Sequence, residues 1–565
     1  MSHAKVRSTT QRHRPSPLES QVERQGGSRI ACLAVAHDLG GLFSRPAFLL
    51  GLTALLAALL LQSGEMGSAD TSMRLQNTHS FWTSEPPVRP ADYPEFGLVG
   101  RNGRIHGWFG IGQSILMLPF DIAGTYLAGL AIFDSFEGHD PSVREIVVSY
   151  GCNTLVCVLG VLVCFRLLRR LEFTVNQSLA GALGLLFGTT FLHYTQNMME
   201  NNLITLLDLT GFCFQYEWLR NGRTRALLIG SAAMGANLLV RLTTGMDVVA
   251  CGVFLLAIAA FEGMVGGNLR WRLSSFAQSA LPIYAFFFAI DRLYQWYRYG
   301  SIFNTYAGIF AQQMRERNPD LPTKFPWTTP WHEGIRGPLI TPEKSIFLFD
   351  PLIIVSLLLA LLLWKHLRVP TKAWVLATGS LLSGYIIFYA RYFVWSGDFA
   401  WGDRYVSMPT DLLAMIAIPL LLRHRGKFKT VVWRTAWGMV PASLTVQLAS
   451  VIFWHPLEVY QVMTMGHPTF VVGLRFKNIA ADILGKYEEW GLTNDWMWND
   501  PWQRFHSTTP YFMPFMLWRD GSVEPSIAYA LIAAWFLVLA ALISVLLLLR
   551  AKARGSRNGL PDSWR

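Results

Sequence analysis

The chain has 565 residues, of which 52% are hydrophobic and only 15% charged, and its mean hydropathy is +0.30. Soluble domains carry charge on about a quarter of their residues, so this composition excludes an ordinary water-soluble globule. The formal charge of +11 is read as Lys and Arg gathered on cytoplasmic loops to hold a membrane topology, not as a nucleic-acid footprint, and no nucleic-acid partner is expected.

Residues 1–29 are polar, basic and Pro-containing, and the expectation is a disordered basic cytoplasmic tail over 1–42. Apolar runs long enough for a helix to cross about 30 Å of hydrocarbon then recur at 46–62, 145–165, 176–193, 202–219, 225–240, 246–264, 275–293, 346–364, 373–394, 406–422, 431–453 and 527–549. A further apolar stretch, 110–133, contains Pro119 and Asp121. If it crossed, the basic runs "RLLRRLEF", "RNGRTR" and "RWR" would fall outside. If it lies along the surface, they join "WKHLRVPTK", "RHRGKFK" and the basic tail 550–565 inside. The expectation is therefore an all-α polytopic protein of about twelve transmembrane helices, with both termini cytoplasmic and interfacial helices on the outer face. That arrangement gives a module over 43–453 with long outer loops 63–144 and 294–345, a Trp-rich outer loop or small domain over 454–526, and a last span at 527–549. Of six cysteines, all but Cys32 lie in apolar runs and none forms a CxxC pair, so neither a disulfide framework nor a zinc site is indicated.

The inner loops are short and basic, whereas the outer ones are chemically varied, which places function outside. Directly after the first span, "SGEMGSADTSMRLQNTHSFW" sets Glu65, Asp70 and Arg74 beside the bilayer. Asp70 is read either as a helix cap or as a general base at the lipid–water boundary. His106 is either structural or a substrate contact. "FGTTFLHYTQNMMENN" brings His193, Tyr194 and Glu200 to the ends of two consecutive spans, where capping is the simpler reading of Glu200. "VWSGDFAWGDRY" carries Trp401, Asp403 and Arg404, with Arg391 just before it. Aromatic residues at this depth are ordinary interfacial anchors. Arg391, Arg404, Arg241 and Lys344, all near one face, point to an anionic ligand, since a guanidinium fork suits phosphate. The loop 454–526 contains Trp490, Trp496, Trp498, Trp502 and Trp518, which suit a sugar face or lipid alike. His332 and Glu333 are adjacent and do not form a metal motif.

"SADTSMRLQNTHSF", "GWFGIGQSILMLPFDIAG", "LFGTTFLHYTQNMMENN" and "GDFAWGDRYVSMPTDLL" together resemble the GT-C superfamily of membrane glycosyltransferases, nearest the protein-mannosyltransferase and aminoarabinose-transferase branch, over roughly residues 46 to 450. The resemblance implies an enzyme that moves a hexosyl or pentosyl unit, with inversion, from a polyprenyl-phosphate carrier to a hydroxyl of a glycan, lipid or protein. It implies Asp70 as the essential first-loop carboxylate and Arg404, Arg391, Arg241 or Lys344 at the carrier phosphate. Glu65, Arg74, His106, His193, Tyr194, Glu200, Trp401 and Asp403 are the expected substrate contacts. Many relatives carry two adjacent acids where this chain has "ADT", which leaves open a second acid or a divalent metal held by such a pair. The expected location is a bacterial inner membrane with the site facing the periplasm. The alternatives are a transporter or flippase of a lipid-linked saccharide, and a non-catalytic envelope-assembly protein.

Overall fold

Side-chain caps and left-handed glycines punctuate the helices of this chain. A capping box of Ser142 and Glu145 opens one long helix and another of Thr174 and Gln177 opens the next, each satisfying backbone N–H groups that a helix start leaves unpaired. Gly222, at φ 69°, ends a third by donating back to the Trp218 carbonyl. The computed structural model describes residues 45–555 apart from 137, 139, 140, 265, 266, 494–498 and 522. The tail 1–42, Cys32, Trp496, Trp498 and residues 556–565 lie outside the described residues. The chain divides into two units, Met1–Phe48 and Leu49–Arg565; of the first, only residues 45–48 are described.

The described chain is mostly helical. In order it forms α1 (Arg45–Leu61), α2 (Ala69–His79), the strands β1 (Leu98–Val99) and β2 (Ile105–His106), α3 (Ile111–Ala128), α4 (Val143–Arg170), α5 (Val175–Gly188), α6 (Phe191–Gln196), α7 (Asn201–Asn221), α8 (Thr224–Val240), α9 (Gly245–Phe261) and α10 (Gly267–Tyr299). Then come α11 (Tyr306–Arg317), α12 (Trp331–Ile340), α13 (Ile346–Phe349), α14 (Leu352–Leu362), α15 (Val369–Tyr389), α16 (Ser407–Ala414), α17 (Ala417–Arg423) and α18 (Thr430–Ser450). The last are α19 (Leu457–Met465), α20 (Val471–Leu484), α21 (Pro501–Thr508), α22 (Met513–Asp520) and α23 (Pro525–Gly555). The two strands pair antiparallel, Leu98 opposite His106 and Val99 opposite Ile105.

Helices overlap the predicted apolar runs, with 346–364 broken between Phe349 and Leu352 and 406–422 broken between Ala414 and Ala417. Among the described residues, Val143–Arg170, Leu242–Phe261, Arg270–Tyr299 and Pro525–Lys552 are long and apolar enough to cross a bilayer. Arg45–Leu61, Val175–Gly188, Thr224–Val240 and Leu352–Leu362 are shorter apolar helices. These apolar helices make the chain an integral membrane protein. α7 packs along α8, α8 against α10, α4 against α7 and α9 against α15. The five described cysteines are free and buried.

Helix α3 is not among the crossing candidates. It packs on α2 and α4, with Asp121 fully buried between them, accepting from the Trp82 indole at 2.8 Å and paired with His79 and Arg144. Ile115, Tyr126 and Leu127 are exposed along it, giving the helix one polar, protein-facing side and one apolar side, as an interfacial helix requires. The described residues of 454–526 are largely helical. Phe453, Trp454, Leu457, Tyr511 and Met516 form an apolar core, and Arg475 pairs with Glu458 at 2.6 Å with both side chains sealed from solvent.

Candidate active site

Ser68 caps α2, its hydroxyl accepting from the Thr71 N–H at 3.3 Å. The cap reading of Asp70 is thereby taken by Ser68, and Asp70 stands in the first turn with its carboxylate near the positive end of the helix dipole. The preceding turn fits against residue 197 only because position 67 is glycine. Its φ is 76°, and a Cβ there would lie 2.6 Å from Asn197 Oδ1. The Thr71 hydroxyl donates to the Met198 carbonyl at 2.9 Å and locks the helix to the 197–200 turn.

Asp70 Oδ2 accepts a hydrogen bond from Arg404 Nη1 at 2.7 Å. The loop bearing Arg404 is fixed from several sides. Lys344 Nζ donates to the carbonyls of Asp398, Ala400 and Gly402 at 2.7, 2.8 and 3.2 Å. Asp403 Oδ1 accepts from the Tyr405 N–H at 2.9 Å. Asn201 Nδ2 donates to the Arg404 carbonyl and to the Ser407 hydroxyl, both at 2.6 Å. Burial raises the Asp403 carboxyl to about 7 and lowers the Lys344 ammonium to about 8.

Beside this pair lies a second carboxylate held by two more cations. Arg74 is one turn along α2 from Asp70, so both project from one face of the helix. It meets Glu200 at 2.7 Å, and Arg241, just past α8, binds the other Glu200 oxygen. Burial opposes ionisation of Glu200, but Arg74, Arg241 and Arg404 together overcome it and hold the carboxyl well below the usual range. The Tyr405 ring lies 5.3 Å from each of the Arg241 and Arg404 guanidiniums and stacks at 4.1 Å on Tyr389. Tyr306, at the start of α11, joins the same group, its hydroxyl pKa raised by burial with Tyr405, Arg241, Glu200 and Arg404 acting on it.

Three guanidiniums face two carboxylates here, so the cluster carries a net positive charge. Arg74 Nη1, Arg241 Nη1 and Arg404 Nε are buried without a hydrogen-bond partner. Buried N–H groups of this kind are costly unless something accepts from them, and an oxyanion with several oxygens does so best. The cluster is a ready anion site with a carboxylate, Asp70, at its edge.

The remaining predicted residues sit elsewhere or do something more local. Glu65 turns away from Asp70 and accepts from His506 Nε2 at 2.9 Å and from the Tyr511 hydroxyl at 2.8 Å, tying the first loop to residues 501–511. All three hydrogens of the Lys344 ammonium are engaged by backbone carbonyls. Arg391 donates to the Trp327 carbonyl at 3.1 Å and lies 5.8 Å from the Trp331 ring. His106 is buried edge-on to Tyr297 and Tyr299, and burial, aided by Arg298 and Arg104, lowers its ring to about 4. His193 stacks at 5.8 Å on Trp401, and Trp401 lies 5.4 Å from the Arg475 guanidinium. The Tyr194 hydroxyl donates to the Trp401 carbonyl at 3.1 Å. These three pack around the Arg404 loop and brace it. Tyr306 was not legible in the sequence, since "SIFNTYAGIF" around it carries no charged residue or motif that marks it.

The residues of this cluster do not make a cation site. Asp70 and Glu200 are both matched by arginines, and among the described residues no group of three or more His, Cys, Asp or Glu side chains is arranged to hold a metal ion.

No protein-family model matches the chain, and no curated protein matches it. Among solved structures, ArnT from Cupriavidus metallidurans in the apo state is similar at 15% identity and a TM-score of 0.38, over 76% of this chain and 65% of that one. The archaeal oligosaccharyltransferase AglB from Archaeoglobus fulgidus, in complex with an inhibitory peptide and a dolichol-phosphate, is similar at 14% identity and a TM-score of 0.39, over 79% and 59%. ArnT bound to undecaprenyl phosphate gives 12% identity and a TM-score of 0.36 over 83% of each chain. This chain thus spans less than two thirds of the length of the first two. ArnT and AglB are both GT-C superfamily membrane glycosyltransferases, the superfamily that the sequence resembles. At these scores the functional reading rests on the arginine–carboxylate cluster.

Proposed function

We propose that this protein is an inverting glycosyltransferase that moves a sugar from a polyprenyl-phosphate carrier to a hydroxyl acceptor at the outer surface of a bacterial inner membrane, within a frame of twelve spans. The observation that carries this is the set of three buried guanidinium N–H groups without partners, on Arg74, Arg241 and Arg404, beside the partly exposed carboxylate of Asp70. Arg241 and Arg404 take the carrier phosphate, with Arg74 behind them through Glu200. The acceptor oxygen attacks the anomeric carbon as the bond from that carbon to the phosphate oxygen breaks. The acceptor proton passes to the Asp70 carboxylate and the electron pair leaves with the phosphate. A phosphate leaving group needs charge stabilisation more than protonation, which the guanidiniums supply. The loop brace of Lys344, Asp403, Tyr194, His193 and Trp401 holds Arg404 in place for this.

The test is release of free polyprenyl phosphate from a panel of polyprenyl-phosphate sugars by the purified protein in nanodiscs, with envelope extract as acceptor. Release by the wild type that Asp70→Asn abolishes without unfolding is the expected result. No release from any donor, with acceptor shown to be present, overturns the reading.

A transport reading draws on a different observation. Asp208 and Asp247 are fully buried among the helices, bonded to Asn237 at 2.8 Å and to the Tyr385 hydroxyl at 3.3 Å, and intramembrane carboxylates of this kind mark ion or substrate paths. Substrate flux without product formation would favour it.

A further inference from the structure

The Arg404 guanidinium has one N–H committed to Asp70 and another, Nε, buried with no partner. Its backbone cannot follow a ligand. The carbonyl is held by Asn201 and the flanking loop by Lys344. Gly397 packs so closely that a Cβ there would lie 2.5 Å from Arg404 Cγ. Only the end of the side chain is free to turn, over the Tyr405 ring. Glu200 is engaged by Arg241 at Oε1, and its Oε2 lies 2.7 Å from Arg74 Nη2 as an ion pair without a hydrogen bond. Asp70, for its part, does not depend on Arg404 for solvation. Its side chain is 20% exposed and sits at the capped N-terminus of α2.

We infer that Asp70 and the carrier phosphate compete for the Arg404 guanidinium, so that seating the phosphate draws Arg404 away and releases the Asp70 carboxylate to accept the proton of the incoming hydroxyl. This rests on the glycosyl-transfer reading and adds an order to it. Before the donor binds, one Asp70 oxygen, Oδ2, is filled by an arginine N–H that withdraws charge from the carboxylate. After it binds, the phosphate takes the guanidinium and the carboxylate faces the acceptor. The carboxylate is therefore free of its arginine only when a leaving group is in place.

The experiment is a double-mutant cycle on binding of undecaprenyl phosphate to the full-length protein in nanodiscs, read by equilibrium titration without turnover. Competition predicts that Asp70→Asn tightens binding by roughly five- to tenfold. The gain should vanish in an Arg404→Gln background, because the contested group is gone. Arg404→Met, which removes the charge and the donors while keeping an unbranched side chain, completes the cycle if Arg404→Gln does not fold. Unchanged or weaker binding by Asp70→Asn overturns the inference. Equal tightening in both backgrounds also overturns it, since it would report through-space repulsion alone. Failure of the wild type to bind undecaprenyl phosphate overturns the parent reading, and this inference with it.

Discussion

Asp70 and Arg404 are 334 residues apart in the chain and 2.7 Å apart in the fold. The contact joins the first turn of α2 to the loop before α16, and it places a carboxylate against the arginine cluster of Arg74, Arg241 and Arg404. Asp70→Asn keeps the size and hydrogen bonding of the side chain, and a partly exposed ion pair contributes at most about 1 kcal/mol. Loss of a general base costs about 10²–10⁴-fold in rate. Polyprenyl-phosphate release should therefore fall by that factor while the unfolding temperature barely moves, and a proportionate loss of both would point to a structural role.

Glu200 is the structural counter-ion of the cluster. Glu200→Gln leaves Arg74 and Arg241 buried with nothing to balance them, and breaking a buried pair in this way costs about 3–5 kcal/mol. Denaturation in detergent should show that loss. A second change, Arg241→Gln, should recover part of it, because the two residues share one interaction.

Lys344 acts on the loop and not on the ligand. Lys344→Met removes three donors from the carbonyls of Asp398, Ala400 and Gly402, at a cost of about 1–3 kcal/mol for acceptors left unsatisfied. Backbone hydrogen exchange across 398–404 should accelerate, and the donor KM should rise more than kcat falls. Slower exchange there would contradict the clamp.

His106 offers a pH test. Its folded pKa, lowered to about 4 by burial with Arg298 and Arg104, lies below the unfolded value of about 6.5. Between those values the unfolded chain binds a proton that the folded chain refuses, so stability falls as pH drops through that window and is level above it. His106→Gln should shrink the stability lost between about pH 7 and about pH 4.5 by on the order of 2 kcal/mol. An unchanged loss would mean the ring is not held neutral.

Glu65 and Arg74 show how far the sequence reached. Both stand in one quoted stretch beside Asp70, and the reading grouped them with it. Only the helix register separates them: Arg74, one turn on, shares the face of Asp70 and meets Glu200, while Glu65 precedes the Ser68 cap and turns to His506 and Tyr511. Arg241 and Arg404 were singled out with Arg391 and Lys344 as cations at a similar depth. The fold brings the first two together at Tyr405, whereas Arg391 and Lys344 bond to carbonyls of neighbouring loops.

The sequence by itself determined the membrane class and the approximate positions of the helices, because apolar length and the placement of Lys and Arg are local properties that the bilayer reads directly. Which charges meet was decided by the tertiary structure alone. A guanidinium finds its partner through packing among α2, α7, α8 and the loop before α16, across separations of 334 residues for Asp70 and Arg404 and 41 for Glu200 and Arg241. No single stretch of sequence encodes that convergence, since each of its members is equally at home as an ordinary charge at a helix end.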